Sequence, residues 1–241
     1  MRHLLYHIYP LDTQAGRKCV QWHLRQLQKY AAIFDGQLIF AIVTGIGLSP
    51  PESVARLLPA TAQILIRPNN PDFGESCTLP MLLARAFTLG PSDLIFYAHT
   101  KGVTHVNSAQ ETPTRWWSLS MYRWLLSEET LGKFPAHSCV GWLKYEGQHD
   151  LFPRWSNWHY PGNFWWFRSA DLYRQAWWLV PPTKFGAEAY PSTWAPTEKA
   201  ACLYSFPWRE LTRPDGLSHL YYFDFWKKLD IPKGPEADSY E

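Results

Sequence analysis

The sequence predicts an α/β fold, and three features of its first hundred residues carry that reading. Short aliphatic and aromatic runs recur at residues 4–9, 38–43, 63–66 and 94–98. Helical stretches separate them, so strands and helices alternate at roughly thirty-residue spacing. The second and fourth runs are continuously apolar, the mark of strands buried on both faces of a parallel sheet with right-handed crossovers.

Each element has its own signal. Residues 4–9 form a strand closed by Pro10. Residues 17–34 place Val20, Leu24, Leu27, Ala31 and Phe34 at helical spacing before Asp35-Gly36. Ser49-Pro50-Pro51-Glu52 reads as a capping box with prolines in the first turn, opening a helix through Leu58. A third helix is expected near 78–89. The rhythm then changes: 113–128 is helical, with Trp117, Met121, Trp124 and Leu125 on one side. Strands are expected at 139–143 and 163–167, the latter followed by a helix capped at Ser169. A last helix is expected with Thr197 as N-cap. The organisation is one domain in two halves, 1–110 and 111–231, with a polar tail at 232–241.

Composition removes several classes. The 241 residues carry 23 Lys+Arg against 21 Asp+Glu, with no basic cluster longer than a pair, which argues against phosphate-dominated nucleic-acid binding. The longest apolar run, 38–48, is too short to span a bilayer, and the amino terminus has no cleavable signal pattern. Cys19, Cys77, Cys139 and Cys202 are far apart and read as buried thiols. A cytoplasmic protein is expected. Of 14 Trp, only Trp22 precedes residue 115. The aromatic load belongs to the second half.

In an open parallel sheet, ligands bind at the carboxyl ends of the strands. That points to Tyr9-Pro10, Thr44-Gly45-Ile46-Gly47, residues 68–75 and His99-Thr100-Lys101-Gly102. In the last, a lysine suits phosphate, while the Thr hydroxyl and nearby amides add donors. The alternative is a polar turn that merely ends a strand. A lone G-x-G is no dinucleotide fingerprint, and no P-loop or G-x-S-x-G elbow is present. The stretch Gly162-Asn163-Phe164-Trp165-Trp166 is unusual. Its rings suit the C–H faces of sugars, and Asn163 suits hydroxyls or a diphosphate; equally, the aromatics could be core.

Phe96-Tyr97-Ala98-His99-Thr100-Lys101-Gly102, a Trp-rich helix with Arg115-Trp116, and Gly162-Asn163-Phe164-Trp165-Trp166 together resemble a family of bacterial, phage and viral glycosyltransferase-like proteins. That family is distantly similar to rhamnan-synthesis transferases of surface polysaccharide assembly. Gly74-Glu75 with Thr78-Leu79 fits the same pattern, and the resemblance covers roughly residues 4–205. It implies a GT-A-like fold: a parallel or mixed sheet flanked by helices, with a nucleotide-sugar-binding half and a Trp-rich acceptor half. The implied activity is hexosyl or deoxyhexosyl transfer from a nucleotide sugar to a glycan or lipid-linked acceptor. The alternatives are a non-catalytic carbohydrate binder and a purely structural domain.

GT-A enzymes usually carry Asp-x-Asp where this chain has His99-Thr100-Lys101. Lys101, helped by Arg115, would then neutralise leaving-group charge without a tightly held metal. Mn²⁺ or Mg²⁺ dependence would instead point to His99 with Asp93 or Glu75. Tyr9 is placed for the nucleobase and Thr44 for the ribose; Glu75 could bind ribose or cap a helix. His99, Thr100, Lys101 and Gly102 complete the donor set, and Gly162, Asn163, Trp165 and Trp166 the sugar and acceptor set. For the base, Glu198 is the first candidate and His159 the alternative. Ordinary helix-dipole chemistry would also explain Glu198.

Overall fold

A computed structural model describes residues 1–147 and 156–204. The expected tail at 232–241 lies outside the described residues. The first half runs β1 (Arg2–Ile8), α1 (Gln14–Lys29), β2 (Leu38–Thr44), α2 (Pro51–Ala55), β3 (Gln63–Pro68), α3 (Leu79–Ala86) and β4 (Leu94–His99). The second runs α4 (Glu111–Leu125), α5 (Glu128–Leu131), β5 (Cys139–Leu143), β6 (Tyr145–Glu146), β7 (Trp158–His159), β8 (Trp165–Arg168), α6 (Ser169–Tyr173), α7 (Gly186–Ala189) and β9 (Ala200–Tyr204).

Seven strands form one mixed sheet in the order β3-β2-β1-β4-β8-β5-β9, flanked by helices. All run parallel except β8, which lies antiparallel between β4 and β5. A mixed sheet flanked by helices is the architecture that the resemblance implies. The sheet continues across both halves of the chain. Strands β1 to β3 are laid down in one direction, and α3 then returns the chain to the other side of β1. The carboxyl ends of β1 and β4 therefore flank the point where strand order reverses.

Several elements differ from expectation for local reasons. Thr13 caps α1, its Oγ1 accepting the Gly16 N–H at 3.0 Å, so the helix starts three residues earlier than its apolar spacing suggests. It ends at Lys29, before a 3₁₀ turn over Ala31–Ile33. Ser49 is not a helix cap: its hydroxyl donates to Asp12 at 3.0 Å, and Pro50 occupies the cap position. Ser169 opens α6 as its first residue, with Arg168 as cap. Thr197 begins only a 3₁₀ turn, and the chain then becomes β9.

The tryptophans of β8 are core. The strand pairs on both sides, and both faces of the sheet are covered, so alternate side chains enter two separate buried layers. Trp166 packs against Phe96 and Phe34, and its indole N–H donates to the Leu125 carbonyl at 2.7 Å. Trp165 packs on the opposite face against Tyr97. Both are fully buried, which corrects their expected role as a sugar platform.

Trp166→Ala should therefore cost about 3–5 kcal/mol of unfolding free energy. Denaturant titration reads that loss directly. A change below about 0.5 kcal/mol, typical of surface positions, would show that Trp166 is not core.

Candidate functional site

A cleft of about 600 Å³ opens at the carboxyl ends of β1 and β4. His7 and Tyr9 line it from the first strand, His99 to Gly102 from the fourth, Thr114 and Trp117 from α4, and Lys184 to Glu188 from the approach to α7. Segments well separated along the chain thus meet at one place, beside the point where strand order reverses.

His99 anchors the floor. Its Nδ1 lies 2.9 Å from Glu75 Oε1, and its Nε2 lies 3.1 Å from the Gly162 carbonyl oxygen. Both partners are acceptors, so a proton on either ring nitrogen has an oxygen to receive it. Burial alone would raise the Glu75 carboxyl, but the facing His99 more than offsets it and holds the acid well below the usual range. His7, beside His99 in the β1–β4 register, lies 2.7 Å from the Thr78 hydroxyl. Burial pushes its pKa down to about 4, so it is neutral near pH 7.

A second chain of bonds fixes the Lys101 backbone. Burial takes His23 to about 3, so its ring is neutral. One ring nitrogen lies 2.8 Å from the Lys101 carbonyl and must be the donor. The other, 2.9 Å from the Tyr122 hydroxyl, therefore accepts, and Tyr6 donates to Tyr122 at 2.8 Å. Gly102 follows with φ 85°, and an added Cβ would lie 2.5 Å from Thr114. Only glycine turns the chain there. Above this frame the Lys101 ammonium stands 4.3 Å from the Trp117 ring centroid, a cation–π contact.

Glu188 completes the cleft. Its carboxylate accepts the Gly162 N–H at 3.3 Å. Burial raises its proton affinity, Lys101 opposes that, and Glu75 adds to it. Nothing in the Phe185-Gly186-Ala187-Glu188 sequence resembles a catalytic motif, and the residue was not anticipated. Lys184 was also missed. Burial first, then Lys101 and Lys184, depress the His105 pKa, and both lysines line the cleft.

The expected residues divide sharply. Tyr9, Glu75, His99, Thr100, Lys101 and Gly102 meet in the cleft. Thr100 contributes through its hydroxyl, which accepts the Tyr9 N–H at 2.9 Å and ties the two strand ends together. Gly162 and Asn163 form the adjoining turn at φ 90° and 60°, with Asn163 accepting the Trp165 indole N–H. Thr44 sits at the end of β2, outside the cleft lining, its hydroxyl 3.5 Å from the Arg67 carbonyl. Arg115 is buried beside Glu111 on α4 and does not line the cleft. His159 packs against Tyr145 in the small ribbon of β6 and β7. Glu198 is exposed where β9 begins, beside Ser138 at the amino-terminal edge of the sheet. The opposite edge holds the cleft, so Glu198 cannot be its base.

A divalent ion does not fit the expected pair. Asp93 and His99 stand at opposite ends of β4, about 20 Å apart in extended chain. Asp93 is committed to the Met1 amino group, His3 and the Gly90 N–H, and both His99 nitrogens are engaged. Among the described residues no group of three His, Cys, Asp or Glu could hold a metal.

No protein-family model matches the chain, and no curated protein matches its sequence. Among solved structures it is similar to a protein of Desulfovibrio desulfuricans G20 provisionally named a nucleotide-diphospho-sugar transferase. Identity is 10% and the TM-score 0.45, over 85% of this chain and 80% of that one. A 4-diphosphocytidyl-2C-methyl-D-erythritol synthase gives 14% and 0.46, over 95% and 97%. Staphylococcus aureus TarS 1-349 gives 11% and 0.39, over 99% and 68%.

Acid should unfold the protein early. His7 and His23 take protons in the unfolded chain below about pH 6.5, but in the fold only near 4 and 3. Stability is thus complete above pH 6.5 and falls as pH drops toward 4. Below about 4.5, protonation of Glu75 adds to the loss. Thermal unfolding from pH 7.5 to 4.5 should show a falling Tm; a Tm constant across that range would contradict two neutral buried imidazoles.

Proposed function

We propose that the cleft binds a nucleotide-diphospho-sugar and that the chain is a glycosyltransferase, moving a hexose or deoxyhexose to a glycan or lipid-linked acceptor in surface polysaccharide synthesis. One observation carries this reading: a lysine held by its backbone and a carboxylate hydrogen-bonded to Gly162 line the same cleft where strand order reverses. Lys101, with Lys184 nearby, offers positive charge to a leaving diphosphate. Glu188 offers a base to an acceptor hydroxyl. Tyr9 edges the nucleobase side.

In the inverting form of the reaction, Glu188 takes the proton of the acceptor hydroxyl as its oxygen bonds to the anomeric carbon. The bond from that carbon to the diphosphate oxygen breaks, and Lys101 stabilises the charge left on the diphosphate. A raised pKa suits the task, because a base works best when its pKa lies near the working pH. Glu188 takes the part first expected of Glu198. The Gly162 N–H orients one of its oxygens, while His99 holds the same turn by its carbonyl. The carbohydrate-binding alternative loses the Trp165 and Trp166 faces of its aromatic surface, since both are buried.

A thermal-shift series of UDP-, GDP-, dTDP- and CDP-sugars should single out one donor by a rise in Tm. Lys101→Ala should weaken that donor roughly tenfold or more, the loss expected for a charged hydrogen bond. Glu188→Gln should keep donor binding while lowering transfer about 10²–10⁴-fold, and Glu198→Gln should change neither. In the wild type, kcat/KM should rise with pH through a value above the ordinary glutamate range. Full transfer activity in Glu188→Gln would remove Glu188 from the role of base. Absence of any nucleotide-sugar shift would overturn the donor site.

A further inference from the structure

Large apolar side chains gather on the surface at the far end of α3. Among the described residues eight are exposed, and three of them, Phe87 at 52%, Trp178 at 59% and Leu179 at 62%, belong to one patch. The patch is ordered. Phe87 stacks on Trp177 at 5.5 Å and meets Tyr173 edge-on at 5.3 Å, while Trp178 stands perpendicular to Trp177 at 5.9 Å. The Tyr173 hydroxyl donates to the Leu83 carbonyl, and that of Tyr190 donates to Trp177, so the inner rings are pinned while the outer ones face solvent.

The charge around these rings is one-sided. Residues 79–90 and 172–182, which build the patch, contain Arg85 and Arg174 and no Asp or Glu. Both arginines are exposed; Arg85 also donates to Gln63 at 2.6 Å on the neighbouring edge strand. The nearest acid in sequence, Asp171, is engaged with Arg168. Exposed Trp, Phe and Leu in segments whose only charged residues are arginines match the chemistry of a membrane interface, where rings enter the headgroup layer and arginines meet phosphates. A sugar platform would instead place carboxylates or amides beside the rings. Of these, the two segments supply only Gln175.

We propose that this face, built by Phe87, Trp178 and Leu179 with Arg85 and Arg174, seats the protein on an anionic lipid surface. No helix among the described residues is long and apolar enough to cross a membrane, so the contact is peripheral. The patch lies at the end of α3 away from Thr78 and the cleft, about 12 Å along the helix. It can engage lipid while the cleft stays open. The proposal does not depend on the donor chemistry.

Co-sedimentation of the full chain with vesicles tests it. Binding is expected to phosphatidylcholine vesicles containing phosphatidylglycerol, with little to phosphatidylcholine alone, and should weaken as salt rises. Trp178→Ala with Leu179→Ala should reduce binding about tenfold or more, and Arg174→Glu by roughly fivefold or more. Both variants alter exposed positions and should keep the wild-type Tm. Failure of the wild type to bind anionic vesicles would overturn the proposal. So would binding that both variants retain, or a patch that instead binds soluble glycan in a Trp178-dependent way. None of these outcomes bears on nucleotide-sugar binding, so the two readings fail separately.

Discussion

The bridge from Glu75 through His99 to Gly162 is the constraint on which the site depends. One imidazole at the end of β4 joins the turn before α3 to the turn before β8, elements drawn from distant parts of the chain. The bridge works because the ring meets an acceptor on each side and is buried from competing water. The peptide N–H of the same glycine is then presented to Glu188. A single residue therefore orients both carboxylates of the cleft, one through its side chain and one through a backbone that it holds.

A second device supports the lysine from below. Tyr6, Tyr122 and His23 form a directed chain of donors ending at the Lys101 carbonyl, with each member buried. Neutral His23 fixes the direction, since only its protonated nitrogen can serve a carbonyl. The lysine loop is thereby tied to the middle of the sheet through β1 and to two helices. Gly102 adds a steric condition, because its turn leaves no room for a side chain against Thr114. Such preorganisation lets charge act at a reacting centre without first being moved into place.

How far the sequence could be read depended on the kind of signal. Strands β2 and β4 were legible because burial on both faces leaves uninterrupted apolar runs, and the strand-end rule then led to His99 and Lys101. The 200–204 segment was misread because five apolar residues suit strand and helix alike. Trp165 and Trp166 were misassigned for a physical reason. Alternation separates two faces of a strand, but when both faces are covered it says nothing about which side chain meets solvent. Glu188 left no trace in spacing, since its importance comes from Gly162 and Lys101, residues 26 and 87 positions away. Contacts of that length are made by topology alone.

The balance of charge in the cleft has a consequence for its ligand. Lys101, Lys184, Glu75 and Glu188 line one cleft, two cationic side chains with two acidic ones. On the donor reading, a diphosphate brings further negative charge beside a carboxyl that burial already inclines toward its neutral form. Donor affinity would then rise as pH falls through the Glu188 titration, while transfer, which needs Glu188 ionised, would fall. Binding and turnover would have opposed pH dependences, and the working pH of the site would be set where the two cross.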